Sequence, residues 1–288
     1  MTRHQLEAIL LDLDGTLWDN AIFEIRVLSD VLDAAIARGL RTTKEQALSF
    51  LASIRKENPN ATNHIDKLVN HFNGWEDPSV IGPAVSAYHN AKTSMHPYNG
   101  VVGVLHELQQ EYCTRKRHGL GVLSTGIPKK QWDKLCRLGL TPFFTVYDRE
   151  GKVTGNTVYA SDTLGEKKPY PHLFETAQQK MNFSYEHTVM VGDRLDSDIA
   201  PAKLLGMCTV HIAIGKYVDQ TPESARDKYM QACPGFEEPP RAAFSPDYRI
   251  SNFAQLPEAI RRIERRLRGD AGGSFPTPAQ TSLFQTNT

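Results

Sequence analysis

Cysteine is scarce. The chain has 4 in 288 residues (Cys113, Cys136, Cys208 and Cys233), scattered and without a C-x-x-C pair. At this length that pattern argues against a disulfide framework and fits a reducing compartment. Net charge is missing as well: 33 basic residues balance 33 acidic ones, so no global field draws the chain toward nucleic acid or an anionic membrane. Long apolar runs are absent, and none approaches the length of a membrane span. The first apolar run is broken by Asp12 and has no small-residue cleavage pattern behind it, so it does not read as a secretory signal. There is no G-x-x-x-x-G-K-[ST] loop, no G-x-G-x-x-G after a strand and no H-E-x-x-H, and the 10 histidines show no ligand spacing. These absences predict a cytoplasmic protein without nucleic-acid or membrane partners. The Arg-rich stretch 261–266 reads as a solvated helix face whose charges suit a helix C-terminus.

What is present is a recurring pattern. Residues 8–17 read Ala-Ile-Leu-Leu-Asp-Leu-Asp-Gly-Thr-Leu, an apolar run ending in two carboxylates one residue apart and then a glycine turn. Two charges at a strand tip are tolerable only beside something cationic. Apolar runs ending in polar residues recur at Val122-Leu123-Ser124 and Met190-Val191-Gly192-Asp193. Between the first and second, residues 21–95 carry only helical periodicity, with Leu28, Val31, Leu32, Ala35 and Ile36 on one face. From residue 97 strands and helices alternate: helix 101–111, strand 119–124, a helix opening at Pro128, strand 143–147, helix 171–181, strand 188–192, helix 195–205, strand 208–213, strand 247–251 and helix 256–267. This alternation predicts an α/β fold, a Rossmann-like parallel sheet with helices on both faces. The expected domains are an α/β core over 1–20 and 96–268, a small all-helical domain over 21–95 and a disordered tail over 269–288. Residues 217–246 read as a long loop or mobile excursion.

In an open parallel sheet the C-terminal strand tips share one edge, where ligands bind. The three tips are therefore expected to converge, with Asp12, Asp14 and Asp193 forming a hard oxygen cluster and Asp198 nearby. Such donors suit Mg²⁺ and not zinc. Singly, blander readings win: Asp14-Gly15 as a hairpin turn, Asp196 or Asp198 as a helix N-terminal residue. Jointly, order, strand context and polarity agree.

These residues resemble the four motifs of the haloacid dehalogenase-like hydrolase superfamily. Asp12-Leu-Asp14-Gly-Thr-Leu is similar to the first motif, Ser124-Thr125-Gly126 to the second, Lys168-Pro-Tyr-Pro to the third and Gly192-Asp193-Arg-Leu-Asp-Ser-Asp198 to the fourth. The resemblance runs from about residue 6 to 267. The helical insert resembles the family's cap. Residues 130–139 and 191–199 look nearest to the glyceraldehyde-3-phosphate phosphatase-like branch, which is related to N-acylneuraminate-9-phosphatases. Thr125 stands where Asn or Asp is more usual, and the 217–246 excursion is longer than the family norm.

The resemblance implies a Mg²⁺-dependent phosphatase acting on a small phosphorylated metabolite. Asp12 is then the nucleophile that forms an aspartyl-phosphate, and Asp14 the general acid and base. Asp12, the Asp14 main-chain carbonyl, Asp193 and Asp198 hold the metal. Ser124, Thr125, Gly126 and Lys168 bind phosphate, and Lys168 also neutralises charge on Asp12. Asp14 argues against a dehalogenase, since halide leaves without a proton and an alkoxide does not. Trp18 either meets the substrate body and contributes to selectivity or packs in the core. The alternatives are a phosphomutase using the same intermediate, and a non-catalytic binding or scaffold protein on the same fold.

Overall fold

A computed structural model describes residues 6–57, 61–114 and 117–269. The chain divides into two compact units, Met1–Asp19 with His96–Thr288 and Asn20–Met95. The first strand, β1 (Ala8–Leu11), is buried at all four positions, as a continuous apolar run in the middle of a parallel sheet must be. The helical unit follows: α1 (Asn20–Ala37), α2 (Lys44–Glu57), α3 (His64–Asn73) and α4 (Pro78–Ala91). Asp77 caps α4 by accepting the Ser79 N–H, with Pro78 in the first turn, the placement that costs a helix no hydrogen bond. Val27, Val31 and Leu32 of α1 pack with Leu51, Leu68, Val69 and Val80 into this unit's own core.

The α/β unit resumes with α5 (Val101–Tyr112), a short hairpin of β2 (Cys113–Thr114) and β3 (Arg117–His118), then β4 (Leu120–Thr125) and α6 (Pro128–Arg137). A second hairpin, β5 (Thr145–Tyr147) and β6 (Val153–Asn156), precedes β7 (Val158–Ser161), α7 (His172–Met181) and β8 (Thr188–Gly192). A π-helical turn at Leu195–Ile199 runs into α8 (Ala200–Leu204). The last elements are β9 (Cys208–Ile212), α9 (Pro222–Ala232), β10 (Tyr248–Ile250) and α10 (Leu256–Leu267). Six strands form one sheet in the order β10-β9-β8-β1-β4-β7, and every neighbouring pair is parallel. The predicted α/β class and parallel sheet are therefore present. Leu11 lies opposite both Val122 and Val191, so the polar residues that follow these three apolar runs end at the same edge.

Three expectations need correction. The strand read at 143–147 is β5, which among the described residues pairs with β6 in the small hairpin; the outer strand beside β4 is β7, a four-residue segment too short and too mixed to signal itself. The helix read at 195–205 begins as a π-turn. Residues 217–246 are not a mobile loop. Thr221 and Ser224 form a capping box at the start of α9, and Ala225, Tyr229, Cys233 and Phe236 join Phe244 in packing against Leu195, Ile199 and Leu204. Ala225, Tyr229 and Cys233 recur four apart within a strongly charged segment, which hid the stripe. The tail expected beyond Gly269 lies outside the described residues. Among the described residues no helix is long and apolar enough to cross a membrane, and all four cysteines are free.

One half-buried charge cluster ties β10 to the rest of the sheet. Asp247 accepts the Thr209 N–H at 2.8 Å and its hydroxyl at 2.9 Å, and faces Lys203 at 3.3 Å and Arg266 at 3.2 Å. Burial raises its carboxyl, but the two cations and the Thr209 hydrogen bonds outweigh that and hold it below its ordinary 3.8. A depressed carboxyl stabilises the fold above its unfolded value and loses that contribution as pH falls through the folded one. Asp247→Asn is therefore expected to cost about 2 kcal/mol at neutral pH. In urea-unfolding curves the gap to wild type should narrow as pH falls below the ordinary carboxyl value of 3.8; a gap that stays constant with pH would show that charge plays no part.

Candidate active site

The shared sheet edge gathers side chains that the sequence holds far apart. Asp12 leaves β1 with its N–H bonded to the Val191 carbonyl at 2.9 Å. Ser124 is in β4, and Asp193 directly follows β8. Lys168 arrives on the loop between β7 and α7, and Asp198 on the π-turn. Lys168 Nζ lies 2.6 Å from Asp12 Oδ1 and 2.5 Å from Asp198 Oδ1, with its side chain 2% exposed. The other Asp198 oxygen accepts the Arg194 N–H at 3.1 Å. One carboxylate oxygen from each of Asp12, Asp193 and Asp198 lies within 4.8 Å of the other two.

Two glycines make this closeness possible. Gly15 has φ +92°, and a Cβ there would stand 2.2 Å from Asp193 Oδ2. A Cβ on Gly192 would meet the Asp198 side chain at 2.4 Å. Both positions need a residue without a side chain because a carboxylate occupies the space.

The electrostatics are unbalanced as they stand. Burial drives the Asp12 carboxyl up to about 7; Lys168 pulls against that, while Asp198 and Asp14 add to it. Asp193 is held well above its ordinary range, first by burial and then by Asp12 and Asp198. With all three ionised, the buried carboxylates exceed the one buried ammonium by two negative charges, the charge that a divalent cation cancels. Both Asp193 oxygens and Ser124 Oγ are buried with no hydrogen-bond partner among the described residues, an arrangement costly unless another group engages them. An all-oxygen donor set of this kind fits Mg²⁺.

Asp14 departs from the expected cluster. Its carboxylate is not among the three that converge; instead Oδ2 meets Lys134 Nζ at 2.5 Å and Oδ1 accepts the Trp18 indole N–H at 2.9 Å. Two residues along an extended chain the side chain faces the same way, but the chain turns here: the Leu17 N–H reaches the Leu13 carbonyl, and the Gly15 N–H that of Trp18. Trp18 is 3% exposed. Thr125 is exposed, and its carbonyl accepts from Gln131 Nε2 at 3.3 Å. The Gln131 amide fills the space beside Gly126, where a Cβ would stand 2.0 Å from it.

Sequence reasoning missed Lys134, Gln131 and Gln220. The first two lie three apart on α6 and so share a helix face, a spacing that was open to reading. Gln220 had no local signal. It donates to Asp196 Oδ1 at 2.5 Å and accepts the Leu195 N–H at 2.8 Å, while Asp196 also pairs with Arg194. Asp196 thus braces the turn that carries Asp198.

Comparison with known proteins agrees with this architecture. A family model described as haloacid dehalogenase-like hydrolase matches residues 6–206. A glyceraldehyde 3-phosphate phosphatase from Methanocaldococcus jannaschii is 36% identical over 262 residues, covering 90% of this chain and 99% of that protein. A protein of the same name from Methanopyrus kandleri is 30% identical over 264 residues, with 90% and 99% covered. Among solved structures, the putative HAD-hydrolase YfnB from Bacillus subtilis, bound to magnesium, aligns with a TM-score of 0.56 at 20% identity, covering 89% of this chain and 99% of that one. At that identity the likeness is one of fold. The matched motifs, the parallel sheet and the relatives together make this chain a member of the haloacid dehalogenase-like hydrolase family, and an enzyme.

Proposed function

We propose that this hydrolase is a Mg²⁺-dependent phosphatase that cleaves a small phosphorylated metabolite through an aspartyl-phosphate on Asp12. The observation that carries the reading is the buried Asp12 carboxylate, in contact with Lys168 and beside two further carboxylates whose excess charge matches a divalent cation. Asp12, Asp193 and Asp198, with the Asp14 main-chain carbonyl, are the groups assigned to hold Mg²⁺. When bound, the ion offsets the repulsion between a phosphate dianion and the carboxylates and polarises the phosphoryl oxygens. Ser124 Oγ and the main-chain N–H of Thr125 are assigned to the phosphate oxygens, and Lys168 Nζ to the charge shared between Asp12 and the phosphoryl group; the Gly126 N–H, also expected there, is donated to the Ser161 carbonyl at 3.0 Å.

In the first step an Asp12 oxygen bonds to phosphorus as the bond to the leaving oxygen breaks. That oxygen takes the electron pair and a proton from Asp14. In the second step water attacks phosphorus and gives its proton to Asp14, which releases phosphate and restores the Asp12 carboxylate. The Asn20–Met95 unit is the candidate cap. Glyceraldehyde 3-phosphate is the first substrate to test, because relatives at 30–36% identity carry that name. Four free cysteines suit a cytoplasmic setting.

Purified protein with Mg²⁺ is expected to release phosphate from a panel of small phosphate monoesters, and Asp12→Asn to release none. Asp14→Asn should lower the rate on alkyl phosphates about 10²–10⁴-fold. Wild-type behaviour of Asp12→Asn would remove the nucleophile from the scheme, and interconversion of sugar phosphates without free phosphate would favour a mutase. Gly15→Ala pushes a methyl into Asp193, so Mg²⁺ titrations followed by rate and by calorimetry should weaken about 10–100-fold. Gly139→Ala, where a Cβ meets nothing within 4 Å, should leave Mg²⁺ affinity unchanged; equal losses in the two variants would exclude the Asp193 contact as the cause.

A further inference from the structure

Both carboxylate oxygens of Asp14 are engaged, by groups of very different stiffness. The Trp18 indole reaches Oδ1 from within the same tight turn. That turn is pinned by the Gly15 N–H to the Trp18 carbonyl at 3.0 Å, the Leu17 N–H to the Leu13 carbonyl at 3.0 Å and the Tyr98 N–H to the Leu17 carbonyl at 2.9 Å. A ring that is 3% exposed and anchored on both sides does not swing away. Lys134 reaches Oδ2 from α6, 120 residues away in sequence, on a flexible four-carbon stem that is 26% exposed. Its ammonium also stands 5.9 Å from the Trp18 ring centroid, within range of cation–π attraction. Asp14, Trp18 and Lys134 therefore form one contiguous cluster in which one arm is fixed and the other free to move.

A general acid needs one oxygen held and the other turned to the leaving group. Since Trp18 keeps Oδ1, the oxygen left for chemistry is Oδ2, the one that Lys134 touches. We propose that Lys134 and Trp18 are positioning residues that clamp the Asp14 carboxylate, with Trp18 fixing its rotation and Lys134 holding Oδ2 at the place where the leaving oxygen arrives. Lys134 yields that oxygen to the substrate when Oδ2 carries the proton that Asp14 took from water in the preceding turnover, and its ammonium stays beside the developing negative charge on the leaving oxygen. This rests on Asp14 being the acid in the reading above. It also assigns work to two residues that contact neither the phosphate nor the carboxylate triad.

The test separates substrates by leaving group. An alkoxide needs a proton in the first step, whereas p-nitrophenolate leaves without one. In Lys134→Met the first-turnover release of glycerol from glycerol 2-phosphate should fall about 10–100-fold, the range expected for a misplaced catalytic group. The p-nitrophenolate burst from p-nitrophenyl phosphate should fall less than about 3-fold, and KM for either substrate should move less than about 3-fold. Trp18→Phe, which keeps the ring and removes the N–H, should show the same leaving-group bias, and Lys134→Arg should recover most of the lost rate. Adding Lys134→Met to Asp14→Asn should produce no further loss, because both act through one carboxylate. Equal losses on the two substrates, or additive losses in the double variant, would overturn the clamp. If Asp14→Asn discriminates between the substrates and Lys134→Met does not, the clamp alone fails. If Asp14→Asn itself shows no bias, the acid assignment fails and the clamp with it.

Discussion

The contact on which the rest of the site depends is Lys168 between Asp12 and Asp198. An ammonium this deeply buried carries a large desolvation cost, which only two close carboxylates offset. Its partners in turn could not both stay charged in the interior without it. The pairing fixes the relative position of a strand tip, a loop and a helical turn that the chain reaches at widely separated points. It also leaves the cluster two charges short of neutrality. The fold thus stabilises its own site only in part, and under the proposed function a cation and a phosphate would supply the remainder.

Much of this was legible in the residues alone, for identifiable reasons. β1, β4 and β8 are buried on both faces and must be continuous apolar runs, so the carboxylates and hydroxyl that break them stand out. The parallel order of strands then forces the tips to one edge, which is why the sequence alone places Asp12, Ser124 and Asp193 together. The helical unit announced itself through period alone. Lys168 was legible only in company, since a lysine before a proline carries no signal of its own.

What stayed hidden was hidden by physics, not by chance. The Asp14 side chain turns away from the carboxylate cluster because a turn closes between Leu13 and Trp18, and no alternation rule applies inside a turn. β7 is an edge strand of four residues, where mixed burial erases periodicity. Pro222–Ala232 form a helix whose apolar stripe is one residue wide, set among charges that outvote it. Gln220 and Lys134 act through contacts across 24 and 120 residues, a distance over which local pattern has no reach.

The packing of α9 and its flanking segment has a consequence for where this enzyme ends as a working object. The match to the shared family stops at residue 206, yet Tyr229, Phe236 and Phe244 cover the inner side of Leu195, Ile199 and Leu204, and Gln220 is bonded to Asp196. The turn that presents Asp198 is therefore supported by residues that lie beyond the segment matched by the family model. Substitutions among these aromatic rings, or at this one amide, thereby reach the carboxylate cluster from outside the matched segment.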